Sequence, residues 1–411
     1  MGEILFLAHR IPFPPDRGDK IRSHHILKAL AAMAPVHVAT FTDDDDDHRY
    51  EAELAGLAAS YCLVNRRKPL PLAGIEAMAT GKPLSLAAFH DRRLQRYISD
   101  LLSSRDIAAI YVFSGQMAQY VPAAFRGRVI ADLVDVDSAK FEAYAAKGSG
   151  FRAWMESREA RLLSIEEERI ARASHVTLLI SNAEAALLRS RLTVSSGQAV
   201  QIAAMGNGMD SGHFDPACVV PEPRMRAASA PRLIFTGQMD YAPNVEGVIR
   251  AIDRIMPRVR TACPGATLHV VGRNPSAELK ARGGRDGIAV WGRVDDIRPW
   301  LAGADIALVP LEIARGVQNK VLEAMAMRLP VVLSPEAATG IGARDGRDFT
   351  IAESDEALAG GIVQLANDKA RSAAMGDAAR RWIEENASWP AALAELPQHL
   401  GIPAARMSDA A

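Results

Sequence analysis

The chain is poor in cysteine. Cys62, Cys218 and Cys263 are too few and too far apart over 411 residues for a disulfide framework or a metal-ligand spacing. That excludes small stapled secreted folds and thiolate metal centres, and it fits a reducing cytoplasm. Long apolar runs are also missing. The longest candidate, Leu70 to His90, is interrupted by Glu76 and Lys82, short of the roughly 18 uncharged apolar residues of a spanning helix. Net charge is −1, so nothing marks nucleic acid as an obligate partner. The ten histidines give no metal pair beyond adjacent His24 and His25, which face different directions on a helix. The GKP of Gly81–Pro83 lacks the glycine spacing and following Ser or Thr of a phosphate loop, so no ATPase is indicated. The opening MGEILFLAHR has Glu3 and a five-residue apolar run, which reads as a first strand rather than a signal peptide.

Hydrophobic residues are 49% of the chain, enough core for about two to three domains. Short apolar runs alternate with longer helical patterns. Ile4–Ala8, Val36–Phe41, Tyr61–Val64, Ile107–Phe113, Val129–Leu133, Val176–Ile180 and Ala199–Ala203 read as buried strands, with helices at Lys20–Met33 and Phe151–Ala173 among them. After Asn207-Gly208 the segment to Pro231 reads as surface linker. The alternation then restarts with strands Leu233–Phe235, Thr267–Val271, Ile288–Trp291, Ile306–Val309 and Val331–Leu333. Helices are expected at Val245–Arg260, Ile297–Leu301, Gln318–Met327 and Glu356–Ala366. The pattern predicts an α/β protein of two doubly wound, Rossmann-like domains facing across a cleft. Domains are expected at 1–206 and 207–387, with 388–411 packing back on the first and its tail frayed.

Within GVQNKVLEAMAMRLPVVLS, Gly316–Ser334, a glycine-led turn opens a helix carrying Lys320 and Glu323 on nearly one face. A helix start offers unpaired N–H groups to an anion. A cation in that first turn is locally unfavourable unless an anionic ligand arrives. The plain alternative is an intrahelical Lys–Glu pair on a solvated face. Elsewhere, Gly18 follows the proline-stiffened loop RIPFPPDRG, with Arg17, Lys20 and Arg22 around it; Lys20 and Arg22 also fit an ordinary helix surface. Asp135 and Asp137 follow the strand Val129–Leu133. They could orient an acceptor hydroxyl, hold a metal, or, with Ser138 as cap, tune a helix start. The five acids Asp43–Asp47 read as a solvated loop. Basic residues Arg66, Arg67 and Lys68, and Arg92, Arg93 and Arg96, flank apolar Leu70–Phe89. That region suits either packing on its own domain or peripheral contact with an anionic membrane.

Helix–LEAMA–x–x–x–PVV–x–S resembles the donor-site signature of family 4 glycosyltransferases of GT-B fold. TGQMDYAPNVEGV (Thr236–Val248), VVGRNPS (Val270–Ser276) and WGRVDDIRPWLAGADIALVPL (Trp291–Leu311) are similar to it too. HRIPFPPDRGDKIRSHHILKAL and DLVDVDSAKFEAYA resemble a subgroup associated with exosortase/PEP-CTERM exopolysaccharide systems. The likeness covers nearly the whole chain in order. It implies a retaining, metal-independent transferase without a cofactor, its donor a nucleotide sugar and its acceptor a glycan or lipid-linked glycan. It places Glu323 on the donor ribose. Lys320, Arg273 and the backbones of Gly237 and Gly316 would meet the diphosphate, Val294 would lie beside the base, Gly18 under the diphosphate, and Asp137 or Asp135 beside the acceptor. The family's first glutamate would fall at Arg315, and Glu312 is three residues off; Arg315 reads as binding an acidic sugar substituent or a phosphate, or as a surface loop arginine. This departure leaves room for a catalytically silent partner subunit, and the fold for a nucleotide-sugar epimerase.

Overall fold

The structure is a computed structural model and describes residues 2–193, 199–314 and 316–402. It divides into two units. One holds the residues up to Asn207 together with those from Ala392 on; the other is Gly208–Ala391.

The first unit is built on seven parallel strands: β1 (Glu3–Ala8), β2 (Val36–Thr42), β3 (Ser60–Asn65), β4 (Ile107–Phe113), β5 (Arg128–Val134), β6 (Val176–Leu179) and β7 (Ile202–Ala204). Their order is β3-β2-β1-β4-β5-β6-β7. The second unit has six: β8 (Arg232–Thr236), β9 (Thr267–Val271), β10 (Ile288–Gly292), β11 (Ile306–Val309), β12 (Val331–Leu333) and β13 (Thr350–Ile351), in the order β10-β9-β8-β11-β12-β13. Central strands such as β1 and β2 are buried along their length. A strand covered on both faces favours apolar residues on both, so these runs are near-continuous rather than alternating, with His37, Thr40 and Thr42 the buried polar exceptions in β2. Strand order reverses between β1 and β4, and again between β8 and β11. At such a point successive helices leave to opposite faces, and the carboxyl ends of the strands open a crevice.

Several expectations need correction. The segment read as linker contains the short helix Pro223–Ala227, and its Met225 is fully buried in the second core. A Cβ on Gly303 would lie 2.7 Å from the Met225 side chain, so the turn is packed onto its unit. The helix expected over 245–260 is two helices, Ala242–Arg250 and Met256–Ala262, joined by a π turn at Ala251–Ile255. Pro257 has no N–H to give, and the widened turn accommodates it. The two-residue β13 was too short to show a period.

The acidic run is not merely solvated. Asp47 is buried and takes an ion pair from Lys20 at 2.5 Å, while Asp43 is bonded by Arg10, Arg17 and Arg66. Nor is Arg22 a surface residue. It is 1% exposed, its Nε donates to Asp132 at 2.9 Å, and its Nη1 donates to the Gly206 carbonyl and to Asn207. Arg17, Lys20 and Arg22, the cations around Gly18, are therefore all paired within the first unit. From Ala392 the chain belongs to that unit, where Arg128 donates to the His399 carbonyl. Of the tail 401–411 read as frayed, Gly401 and Ile402 instead donate to the Gln398 and Pro397 carbonyls, and residues 403–411 lie outside the described residues.

Candidate active site

The carboxyl edge of the second sheet gathers most of the donor-site residues. Gly237 follows β8, Gly272 and Arg273 follow β9, Val294 lies two residues past β10, and Gly316 leads the turn before the helix Asn319–Ala326. Gly237 has φ +149°, and a Cβ there would stand 2.9 Å from Asn244 Nδ2 and 3.1 Å from Lys320 Nζ. A Cβ on Gly272 would meet the Gly237 carbonyl at 1.6 Å. Both positions demand glycine because backbone and side-chain polar groups crowd one point beside the switch between β8 and β11.

Lys320 is the second residue of its helix. Its ammonium folds back over the Phe235 ring, 4.7 Å from the centroid, and donates to Asn244 Oδ1. Asn244 is buried and held in turn by its own donation to the Gln238 carbonyl at 2.9 Å. Burial pushes the lysine down to about 8, and Glu323 only partly offsets it. Burial also raises Glu323 above the ordinary glutamate value, opposed by Lys320. Yet the two do not form an ion pair, and the Glu323 carboxylate accepts no hydrogen bond among the described residues. The helix cap, Gln318, makes no side-chain cap bond. A desolvated cation, a mostly buried unpaired carboxylate and open helix amides are costly to hold together in a resting protein. An anion carrying hydroxyl groups would satisfy all three.

The remaining donor-side residues are more open. Arg273 is exposed and makes no ion pair among the described residues, and its carbonyl accepts from Met239 N–H at 2.8 Å. Gly316, at φ +68°, and Gly18 have free space where a Cβ would sit. Glu312, three residues from the position of the absent glutamate, is engaged by Arg254, with Arg250 3.8 Å away. Arg315 lies outside the described residues. Asn244 was missed in the sequence, although a buried asparagine in the first turn after the Gly237 loop was available as a signal.

In the first unit, Asp137 opens the helix Asp137–Lys147, and Asp135 lies in the loop before it, after β5 ends at Val134 with φ +70°. Burial raises the Asp137 carboxyl, opposed by Lys140 at 3.7 Å. Ser138 does not cap the helix. Its N–H and hydroxyl both donate to Glu167, at 2.9 and 2.5 Å, and Glu184 accepts the Val136 N–H at 2.8 Å. Asp135, Asp137, Glu166 and Glu167 line one small cavity with Leu86, Gln116 and Ile170. Glu167 is pushed up to about 7 by burial, against the bonds from Ser138.

A raised carboxyl destabilises its charged form. The folded state holds the Glu167 proton longer than the unfolded chain, so stability falls as pH rises from the ordinary glutamate value of 4.5 to about 7. Glu167→Gln is expected to remove that slope, worth at most about 3.5 kcal/mol at about 1.4 kcal/mol per pKa unit. Thermal unfolding of both proteins from pH 5 to 8 checks it.

His9 was also missed, though it is the first polar residue after the apolar run of β1. It is buried, stacked on Phe113 at 5.7 Å, with Nε2 3.4 Å from Asp19 and Nδ1 without a hydrogen-bond partner among the described residues. Burial lowers its pKa, which favours the neutral ring.

Residues 230–368 match a family model described as glycosyl transferases group 1. The chain is 27% identical over 232 residues to a GDP-mannose-dependent alpha-(1-6)-phosphatidylinositol monomannoside mannosyltransferase of Mycolicibacterium smegmatis, covering 51% of this chain and 59% of that protein. A protein of the same name from Mycobacterium tuberculosis is 27% identical over 244 residues, covering 53% and 60%. The chain thus spans about 60% of the length of these curated relatives. Among solved structures, sucrose-phosphate synthase from Thermosynechococcus elongatus aligns with TM-score 0.54 at 16% identity, covering 97% of this chain and 98% of that one. HepE of Anabaena in complex with UDP and glucose gives 0.55 at 14%, covering 98% and 100%. WaaG, a glycosyltransferase involved in lipopolysaccharide biosynthesis, gives 0.52 at 15%, covering 97% and 100%. At such identities the likeness concerns the fold. The chain therefore has two Rossmann-like units of the GT-B type, and its residues 230–368 are similar to the glycosyl transferases group 1.

Proposed function

We propose that the chain is a retaining, metal-independent glycosyltransferase. It moves a sugar from a nucleotide-sugar donor to a glycan acceptor, lipid-linked, in exopolysaccharide biosynthesis, at the cytoplasmic face of the plasma membrane. One observation carries this reading: desolvated Lys320 and unpaired Glu323 on the helix that opens beside the β8–β11 switch. The names of the similar proteins support a nucleoside diphosphate donor, being GDP-mannose-dependent in one case and solved with UDP in another.

In this reading Glu323 accepts from the ribose hydroxyls. Lys320, Arg273 and the Gly237 and Gly316 amides face the diphosphate, and Val294 flanks the base. As the sugar–phosphate bond breaks, negative charge grows on the leaving diphosphate, and a cation already in place stabilises it without reorganising. The departing phosphate takes the acceptor proton. Asp137, with Asp135 beside it, orients the acceptor hydroxyl and need not be a strong base. Asp137→Asn keeps an acceptor atom there and is expected to cost about tenfold in kcat, short of the roughly 10²–10⁴-fold of a lost general base. A loss above a thousandfold would assign the proton transfer to Asp137 instead.

The direct test incubates the full chain with UDP-, GDP- and ADP-sugars and quantifies nucleoside diphosphate release, with product anomers read by NMR. Release with retention is the expected result. No release from any donor would point to a silent subunit, and sugar interconversion with the donor intact would point to an epimerase.

A further inference from the structure

The helix Leu70–Thr80 is built inside out. Its small residues Ala73 and Ala77 are the buried ones, at 0% and 2% exposure, while Leu70, Leu72, Ile75 and Met78 are 64%, 57%, 68% and 53% exposed. The next segment is ordinary core, with Leu86, Ala87, Ala88 and Phe89 buried. So packing on its own unit accounts for the second half of the apolar stretch and not the first. A second exposed apolar group stands nearby. Phe151 and Trp154 stack on each other at 5.6 Å and are 76% and 50% exposed. Arg158 lies one turn beyond Trp154 on the same helical face, and donates to the Ala77 carbonyl at 2.9 Å and the Lys82 carbonyl at 3.3 Å. The aromatic pair therefore borders the end of the inverted helix.

Charge around this face has one sign in excess. Lys82 and Arg161 are exposed and make no ion pair among the described residues. Lys147 and Arg152 line a groove of about 410 Å³ with Tyr144, Ser149 and Glu156, beside Phe151; Glu156 holds Arg152 at 2.9 Å. The only acid on the inverted helix, Glu76, is neutralised by Lys68 at 2.8 Å. Against a whole-chain charge of −1 this is a local concentration. Large apolar side chains on a helix with basic borders are what an anionic bilayer interface accepts, the side chains entering the boundary between headgroups and acyl chains. No helix among the described residues is long and apolar enough to cross a membrane.

We propose that this face seats on anionic phospholipid, with Leu72, Ile75, Phe151 and Trp154 entering the interface and Lys82, Lys147 and Arg161 meeting phosphates. It rests on the membrane part of the reading above and gives it a surface. The test is flotation of the full chain with phosphatidylcholine vesicles, alone or containing one-third phosphatidylglycerol. Wild type is expected to float with the anionic vesicles and at least about tenfold less with neutral ones or in 0.5 M salt. Leu72→Ser with Ile75→Ser, and separately Trp154→Ser, are expected to lose about tenfold or more in partitioning, and Lys82→Glu with Arg161→Glu to lose the preference for anionic vesicles. All these sites are exposed, so thermal midpoints should hold. Three outcomes overturn the proposal. Wild type that never floats removes the membrane reading along with the surface. Variants that float like wild type place the contact elsewhere. A vesicle-free dimer that Leu72→Ser with Ile75→Ser turns into monomer makes a second copy the occupant. Nucleoside diphosphate release on the same preparations keeps each of these apart from a failure of the transferase reading.

Discussion

Lys320→Met should abolish most donor turnover and make the unliganded protein more stable. The two effects share one cause. The half-buried ammonium lies over Phe235 with a neutral amide as its direct partner, and burial lowers its pKa from 10.5 to about 8. The sign follows from burial acting on the charged form. Below pH 8 the folded state holds a penalised charge; between about 8 and 10.5 the folded lysine gives up its proton before the unfolded one, and the penalty fades. Methionine carries no charge, so at pH 7 the variant should gain on the order of 1–3 kcal/mol, less a part for leaving Asn244 Oδ1 unpaired. The gap should close as pH approaches 10.5. Turnover should fall by roughly 10²–10³, the usual cost of losing one transition-state charge donor. Paired measurements of kcat and thermal midpoint check this. A purely structural lysine would lose stability and activity together.

The second large effect concerns Glu323. A hydrogen bond to a charged group contributes about 1.5–3 kcal/mol. Glu323→Ala should therefore weaken nucleoside diphosphate binding by about 10–100-fold, and Glu323→Gln by less. A ligand change identifies the contact. The 2′,3′-dideoxy nucleotide should bind wild type as poorly as the parent nucleotide binds the alanine variant, and the variant should not tell the two apart. If the variant still discriminates against the dideoxy ligand, the carboxylate is not on the ribose.

The β-strand core was legible because parallel strands covered on both faces are mostly apolar without alternation, and β4, β9, β11 and β12 coincide with their runs. The Lys320–Glu323 pair was legible for a related reason, since charges inside an apolar helix–strand unit need a purpose. What escaped the sequence depended on distant partners. Arg22 is bonded across 110 positions to Asp132, and Lys20 across 27 to Asp47, so both fitted a helix surface or a ligand-facing role and neither showed its buried partner. The acidic run looked solvated because the arginines that engage Asp43 lie on other elements. Ser138 suited a cap by local pattern, yet Glu167, 29 residues on, takes its donors. Local pattern reads burial well; it does not read which charge answers which.

One titration bears most directly on the account. UDP, GDP and ADP are titrated calorimetrically into the full chain and into Lys320→Met, at pH 8.5, in two buffers of different ionisation heat. The expected result is one nucleotide binding wild type with net proton uptake, as the lysine of pKa about 8 recharges beside the diphosphate, and binding the variant at least about tenfold more weakly without uptake. A nucleotide that binds both proteins equally, or no nucleotide binding at all, would contradict it.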